Sequence, residues 1–202
     1  NVFSGGTSRS AKKIRDELNG IDISTLPADA YKNMSYTTGF ILEVLRFHSL
    51  PSALPRQATR DVDIGNLHIP EGSNIAIPIK LIHENEECFK NASSFMPERH
   101  NAQNNPPPKG AFLPFLDGAH ACPGKNAFFA QALPLVLGIV KNFDLSLPAG
   151  KTLPKQKMYE TLSPEHEVPI LLEPRQPVPE TKSAMSVNAT ASKCPFHKIF
   201  GA

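Results

Sequence analysis

The sequence predicts a mainly α-helical protein with small antiparallel β-sheets. Two long segments, residues 34–48 and 124–142, place apolar side chains at helical spacing. Between them, residues 56–79 alternate short apolar and polar runs around turn signals such as Gly65-Asn66, a pattern typical of a small antiparallel sheet. Residues 143–172 hold further short strands between turns.

The composition is that of a soluble globular protein. Of the 202 residues, 40% are hydrophobic and 20% are charged, a balance that argues against global disorder. The formal net charge of +2 leaves no electrostatic footprint for nucleic acid, so no nucleic-acid partner is predicted. Three widely spaced cysteines do not form a disulfide framework, which favours a reducing, intracellular compartment.

The elements before the sheet follow from local signals. Residues 1–10 are small and polar, and they are predicted to be a flexible start or the remnant of an upstream helix. Residues 11–19 are strong helix formers followed by Gly20, a favourable residue just beyond a helix. The first long helix is expected to end before Pro51.

The elements after the sheet are shorter or interrupted. A short helix is expected over residues 81–89, an irregular stretch over 90–111 and a loop over 112–123. The second long helix is strongly apolar, and Pro134 inside it is expected to cause a kink because one backbone hydrogen bond is lost. Its apolar run falls short of the ~20 residues needed to span a bilayer. Residues 174–202 are predicted to be a disordered tail.

The most informative segment is the loop FLDGAHACPG, which starts at Phe115 and leads directly into the second long helix. Cys122 stands just before the helix N-terminus, where the helix dipole and free N–H groups favour an anion such as thiolate. Thiolate is the form of cysteine that binds metals. Gly118 and Gly124 allow the backbone to turn and to approach a ligand closely. His120 can present a donor beside a ligand of the sulfur, and Phe115 can shield one side of a flat ligand.

Several interpretations of Cys122 stay open on the residues alone. A lone cysteine is most often a buried, inert thiol. A zinc site would combine Cys122 with His120 and two further ligands, but the Cys-x-x-Cys pairs typical of structural zinc are missing from the sequence. A cysteine nucleophile would need a base and an orienting group, for which no supporting motif is found.

The loop resembles the haem-binding loop of the cytochrome P450 family, whose pattern is Phe-x-x-Gly-x-(basic)-x-Cys-x-Gly. The resemblance implies that Cys122 is the axial ligand of haem iron and the catalytic residue of the loop. It places Phe115, Gly118 and Gly124 around the cofactor. The usual basic residue is arginine, and its place is taken here by His120, to which the resemblance assigns a contact with a haem propionate.

Other landmarks occur in the order that this family shows. Glu43-Val-Leu-Arg46 lies on the first long helix, where the two side chains share one face and can pair. The predicted sheet follows, then Pro97-Glu-Arg99, then the cysteine loop. The resemblance implies that Glu43, Arg46 and Arg99 form a buried structural charge network. Arg99 is followed by His100, where phenylalanine is commonest.

A further match stands at the entry to the sheet, where Arg56 follows Pro55. The resemblance assigns this arginine a contact with a haem propionate, and a guanidinium can meet a carboxylate through two parallel hydrogen bonds. Residues 11–173 are predicted to be the C-terminal haem-binding part of a cytochrome P450 domain. Because the chain begins with Asn and has only 202 residues, the expectation is a fragment that is inactive alone.

The resemblance implies a haem-thiolate monooxygenase that inserts one oxygen atom from O2 into an organic, lipophilic substrate. The cofactor would be haem (iron protoporphyrin IX), and the electron donor a P450 reductase or a ferredoxin. The protein would be cytoplasmic or anchored to the endoplasmic reticulum membrane by a segment outside this chain. Two alternatives stay open: a haem-thiolate peroxygenase or hydroperoxide isomerase, which needs no electron donor, and a non-catalytic truncated remnant.

Three remaining residues are expected to have no functional role. His83, before Glu84, is expected to be a capping or surface histidine, and Cys88 to be buried in the interior. Cys194 is expected to lie in a solvated tail.

Overall fold

The fold is described from a computed structural model, which covers residues 6–101, 107–158 and 162–175 with defined structure. Its α-helices in this part of the chain are α1 (Gly6–Glu17), α2 (Ser35–Phe47), α3 (Ile79–His83) and α4 (Lys125–Asn142). The predicted long helices therefore correspond to α2 and α4. Of the predicted tail, residues 174–202, only Pro174 and Arg175 are described, and Cys194 lies outside the described residues. Pro174 ends a β-strand, so the prediction of disorder is wrong at this first position.

Two short helices differ from their predicted bounds. The helix that was expected over residues 11–19 begins at Gly6, so its first turn lies within the segment predicted to be flexible. The helix expected over 81–89 is α3, and it ends at His83 because Asn85 starts a turn there. The Asn85 side chain accepts a hydrogen bond from the Glu87 amide at 2.8 Å, an arrangement that competes with helix continuation.

The core lies where α1, α2 and α4 pack together. Helix α4 buries one stripe of side chains at spacings of three and four residues, which faces the other two helices. The buried residues of this cluster are Ile14, Leu18, Ala30, Met34, Ile41, Leu45, Phe129, Leu133, Leu137 and Val140. Helix α4 runs continuously through Pro134. The kink expected there stays a prediction.

The start of α2 is capped by a residue of α1. The residue before α2, Met34, makes no side-chain cap. Instead the Glu17 carboxylate accepts hydrogen bonds from the backbone N–H groups of Tyr36 at 2.9 Å and Thr37 at 2.8 Å. A carboxylate at this end also complements the helix dipole. The end of α1 therefore fixes where α2 begins.

The strands of the described residues form four antiparallel two-stranded pairs. The pairs are β1 (Leu54–Gln57) with β4 (Asn74–Ile77), β2 (Val62–Ile64) with β3 (Leu67–Ile69), β5 (Phe143–Ser146) with β8 (Leu171–Pro174), and β6 (Gln156–Met158) with β7 (Leu162–Pro164). Gly65 forms the tip of the β2–β3 hairpin at φ +59°, a conformation that favours glycine. The predicted small antiparallel sheets are thus confirmed.

Among the described residues, no helix has both the length and the apolar character needed to cross a bilayer.

Candidate functional site

The cysteine loop is closed by a hydrogen bond between its two ends. The Cys122 amide donates to the Phe115 carbonyl at 2.8 Å. After Cys122 the chain enters α4 through Gly124, whose carbonyl accepts the first bond of the helix from the Phe128 amide at 2.8 Å. The Cys122 thiol is free and exposed. The predicted placement of this thiol beside a helix N-terminus is therefore what the structure shows, and the buried-thiol interpretation is wrong.

Backbone conformations that favour glycine shape the middle of the loop. Gly118 has φ +69°, and an added Cβ there would meet nothing within 4 Å. Leu116 also lies in the left-handed region, at φ +62°, which is uncommon for a residue with a side chain. At Gly124, an added Cβ would sit 3.6 Å from the Cys122 sulfur. Glycine at that position therefore keeps one side of the sulfur open.

The other two predicted side chains of the loop, those of His120 and Phe115, differ in burial. His120 lies in a short 3-10 turn, Gly118–His120, and its side chain is exposed. The Phe115 ring is half-buried and packs on α4, with ring centroids 5.3 Å from Phe128 and 5.8 Å from Phe129. Phe115 therefore holds the loop against α4. Its expected role beside a flat ligand stays a prediction.

Arg56 lies on β1, opposite Ile75 of β4. Arg56 is half-buried as a residue, and the one hydrogen bond of its guanidinium within the described part of the chain goes to the Pro55 carbonyl at 2.8 Å, at an exposed position. Several of its N–H donors therefore remain available for a carboxylate. No hydrogen bond or ion pair among the described residues joins Arg56 to His120 or Cys122.

The structure brings the three members of the predicted charge network together. Arg46 binds the Glu43 carboxylate through two parallel hydrogen bonds, from Nε to Oε2 at 2.9 Å and from Nη2 to Oε1 at 2.8 Å. Arg99 donates from Nε to Glu43 Oε1 at 3.0 Å. The side chains of Glu43 and Arg46 are fully buried. The Glu43 carboxylate thus neutralises the fully buried Arg46 guanidinium and also binds Arg99, whose side chain is 9% exposed.

Two additional contacts fix the rest of the Glu43 carboxylate. The Met96 amide donates to Oε1 at 2.9 Å, and His100 Nε2 lies 2.8 Å from Oε2. Burial alone would raise the pKa of Glu43. The hydrogen bonds from His100, Arg46 and Met96 outweigh burial and lower this pKa to about 2. An ionised carboxylate only accepts, so His100 Nε2 carries the proton in this contact. The role of His100 was not predicted, although its place after Arg99 marked it as a departure from the family pattern.

A glycine on α2 allows the close approach that forms the network. Gly39 lies one turn before Glu43 on the same helix face. A Cβ placed on Gly39 would be 2.6 Å from the Pro97 carbonyl oxygen. Pro97 begins the 3-10 turn Pro97–His100, which carries Arg99 and His100. Glycine at position 39 therefore lets this turn lie directly on α2.

His83 is buried, which corrects its expected place on the surface. Its side chain has no exposed area, and the ring contacts groups on both sides. Nδ1 lies 2.7 Å from Ser49 Oγ, and Nε2 accepts a hydrogen bond from the Leu113 amide at 3.1 Å. The burial of His83 could not be predicted from the sequence, because Ser49 and Leu113 lie 34 and 30 positions away along the chain. Cys88, expected to be buried, is half-buried.

Lowering the pH is expected to destabilise the chain in two steps. Burial lowers the pKa of His83 from 6.5 to about 4, so the unfolded state binds more protons and stability falls as the pH drops through this range. Glu43 adds a second loss as the pH falls from 4.5 towards 2. Each of these pKa differences between the unfolded and the folded state corresponds to about 3 kcal/mol of folding stability. Urea unfolding between pH 7 and pH 4 measures the first step, and a constant free energy of unfolding over that range would contradict it.

Zinc-type ligation finds no support around the cysteine loop. In the described parts of the chain, no three or more His, Cys, Asp or Glu side chains cluster closely enough to hold a metal ion. Cys122 and His120 therefore have no third protein ligand there.

Comparison with known proteins assigns the chain to a family. Residues 10–172 match the family model described as "Cytochrome P450". "Luvungin A synthase CYP716AC1" of Citrus sinensis is 33% identical over 151 residues, which cover 74% of this chain and 30% of that protein. "Cytochrome P450 3A18" of Rattus norvegicus is 30% identical over 168 residues, which cover 80% of this chain and 33% of that protein. The chain spans about a third of the length of these two relatives.

Solved structures share the fold. The structure "Retinoic acid bound cyanobacterial CYP120A1" matches with a TM-score of 0.74 at 24% identity, over 84% of this chain and 40% of that one. The structure "Crystal structure of cytochrome P450DA heme domain" matches with a TM-score of 0.73 at 24% identity, over 84% and 37%. The predicted fold class is therefore confirmed. Since the family match extends over most of the chain, from before Glu43 to beyond Cys122, the chain belongs to the cytochrome P450 family.

Proposed function

We propose that Cys122 is the axial ligand of haem iron and that the chain carries the haem-thiolate part of a monooxygenase. The observation that supports this most is an exposed, free thiol held in place by the Cys122–Phe115 backbone bond at the start of an 18-residue helix. Free N–H groups at that end of a helix favour the anionic sulfur that iron would bind. A single protein ligand is enough for haem.

The residues around the sulfur are compatible with a large flat group. Gly118 and Gly124 have no side chain to occupy the space above the loop, and Gly124 lies directly beside the sulfur. His120 is exposed, and Arg56 is half-buried with several N–H donors that make no hydrogen bond in the described residues. We assign these two side chains to the haem propionates, because both can donate to a carboxylate.

When bound, haem would supply the cleavage of the O–O bond, which a thiolate ligand favours by donating electron density. The chain's own residues hold the ligand atom, orient it and donate to the cofactor's carboxylates. The substrates would be O2 and a lipophilic organic molecule, and electrons would come from a P450 reductase or a ferredoxin. Glu43, Arg46 and Arg99 would support this side of the molecule without contacting the reacting atoms.

The test is the absorption spectrum of the reduced, carbon-monoxide-bound chain after titration with haem. The unmodified chain is expected to give the Soret band of a thiolate-bound haem, because sulfur donates to the iron. Cys122→Ser is expected to lose that band. Cys88→Ser is the matched control, since Cys88 is also a free cysteine but half-buried and far along the chain from the loop. Identical bands for the unmodified chain and Cys122→Ser would refute the proposal.

A further inference from the structure

A buried histidine links the charge network to the cysteine loop, and the proposed function gives it no role. His83 ends α3, and its side chain is completely buried. Its backbone carbonyl accepts a hydrogen bond from Arg46 Nη1 at 2.7 Å. Its ring accepts a hydrogen bond from the Leu113 amide at Nε2. One residue therefore contacts both the network and the segment that leads into the loop.

The direction of each hydrogen bond fixes the protonation state of the ring. The Leu113 N–H can only donate, so His83 Nε2 is the unprotonated nitrogen. The Ser49 hydroxyl donates its one proton to the Arg46 carbonyl at 3.0 Å, and its oxygen is left to accept from His83 Nδ1–H. The ring is thus neutral and its tautomer is set from both sides. A pKa lowered to about 4 by burial agrees with this assignment.

The Leu113 end of this link leads to Cys122 through the backbone. The Leu113 carbonyl accepts from the Leu116 amide at 3.3 Å, which forms a turn, and the next bond joins Phe115 to Cys122 at 2.8 Å. Leu116 holds φ +62° within that turn. A left-handed conformation of this kind costs about 1–2 kcal/mol and persists only where neighbouring contacts enforce it.

We propose that His83 is a positioning residue, which holds the turn at Leu113 in place and through it sets the position of Cys122 relative to the charge network. The ring acts as a bridge of fixed length between the Leu113 amide and the Ser49 hydroxyl. Without the ring's acceptor nitrogen, the Leu113 amide has no hydrogen-bond partner among the described residues. The turn would then open more often, and the sulfur would lose its fixed direction.

Two substitutions separate the hydrogen bond from the mere presence of the ring. In His83→Gln the carboxamide oxygen can take the place of Nε2 and accept from Leu113. In His83→Asn the shorter side chain reaches only the place of Nδ1, so the Ser49 contact can remain while the Leu113 bond is lost. Both variants remove the aromatic ring, and the shorter Asn side chain also fills less of the buried site. A general loss of packing lowers global stability and would accelerate exchange in α4 as well, whereas loss of the Leu113 bond acts on the turn.

The measurement is native-state hydrogen exchange at the Leu113 and Cys122 amides, with the Leu137 amide of α4 as an internal reference for global stability. Relative to Leu137, exchange at Leu113 and Cys122 is expected to accelerate about tenfold or more in His83→Asn, because a part-buried hydrogen bond is lost. In His83→Gln it is expected to stay within about threefold of the unmodified chain. Equal acceleration in the two variants, or none in His83→Asn, would overturn the proposal.

A measurement on the unmodified chain keeps the test decisive if a variant does not fold. A scalar coupling across the hydrogen bond between the Leu113 amide nitrogen and His83 Nε2 is expected in the NMR spectrum. A proton on Nε2 would overturn the assignment. Only the use of this Cys122 position to bind iron rests on the proposed function, because both measurements are made without haem. Failure here would leave ligation by Cys122 unaffected, and failure of the Soret test would leave the link between His83 and the loop unaffected.

Discussion

Glu43→Ala is expected to lower the free energy of unfolding by about 3–5 kcal/mol, because it leaves buried guanidinium charges without a counter-charge. Glu43 is the carboxylate that binds Arg46, Arg99 and His100, and it also accepts from the Met96 amide. Its removal breaks all of these contacts at once. Urea unfolding at pH 7 measures the effect through the midpoint and the slope of the transition.

Glu84→Ala is the matched control for this prediction. Glu84 forms an i,i+4 ion pair with Lys80, but its side chain is 47% exposed, whereas that of Glu43 is fully buried. Exposed pairs contribute up to about 1 kcal/mol, so this variant is expected to change stability little. Glu43→Gln keeps the size and removes the charge, and it is expected to resemble Glu43→Ala. If Glu43→Gln were as stable as the unmodified chain, the charge of Glu43 would not be what holds the network.

Gly39→Ala is expected to destabilise the chain by about 1–3 kcal/mol, although alanine is the better helix former. The added Cβ would lie 2.6 Å from the Pro97 carbonyl oxygen, a backbone atom that cannot move alone. Relief of this contact moves the Pro97–His100 turn away from α2. Because that turn carries Arg99 and His100, their distances to Glu43 are expected to increase.

Gly138→Ala in α4 is the matched control, because a Cβ at Gly138 would meet nothing within 4 Å. The same substitution there is expected to be neutral or to stabilise by about 0.5–1 kcal/mol through helix propensity. Urea unfolding of both variants measures the contrast. Equal effects at the two glycines would show that the approach of the turn to α2 is not limited by position 39.

The elements that local periodicity defines could be predicted from the sequence. The bounds of α2 and α4 differ from prediction by one residue, since apolar spacing, Pro51 and Gly124 mark them within the segments themselves. The hairpin at Gly65 follows in the same way from its turn residues. The position of Cys122 beside a helix start could also be predicted, because the loop and the helix are adjacent in sequence, whereas its exposure is seen only in the structure.

The features that sequence reasoning missed depend on contacts between distant segments. The ring of the buried His83 contacts Ser49, two residues after α2, and Leu113, two residues before the cysteine loop, and neither contact is visible in a local window. His100 was noted only as an unusual residue, because its partner Glu43 lies 57 positions earlier. The periodicity of residues within a helix or strand can be read from the sequence, whereas the contacts between distant elements are set by how these elements pack.

The cap on α2 has a consequence for the order in which the chain assembles. Glu17 reaches Tyr36 and Thr37 across 19 and 20 positions, whereas the bonds of Glu43 to Met96 and His100 close loops of 53 and 57 positions. The longer closures cost about 1 kcal/mol more in chain entropy, and they require α2 to exist already. We therefore expect the hairpin of α1 and α2 to form first and the Pro97–His100 turn to dock on it afterwards.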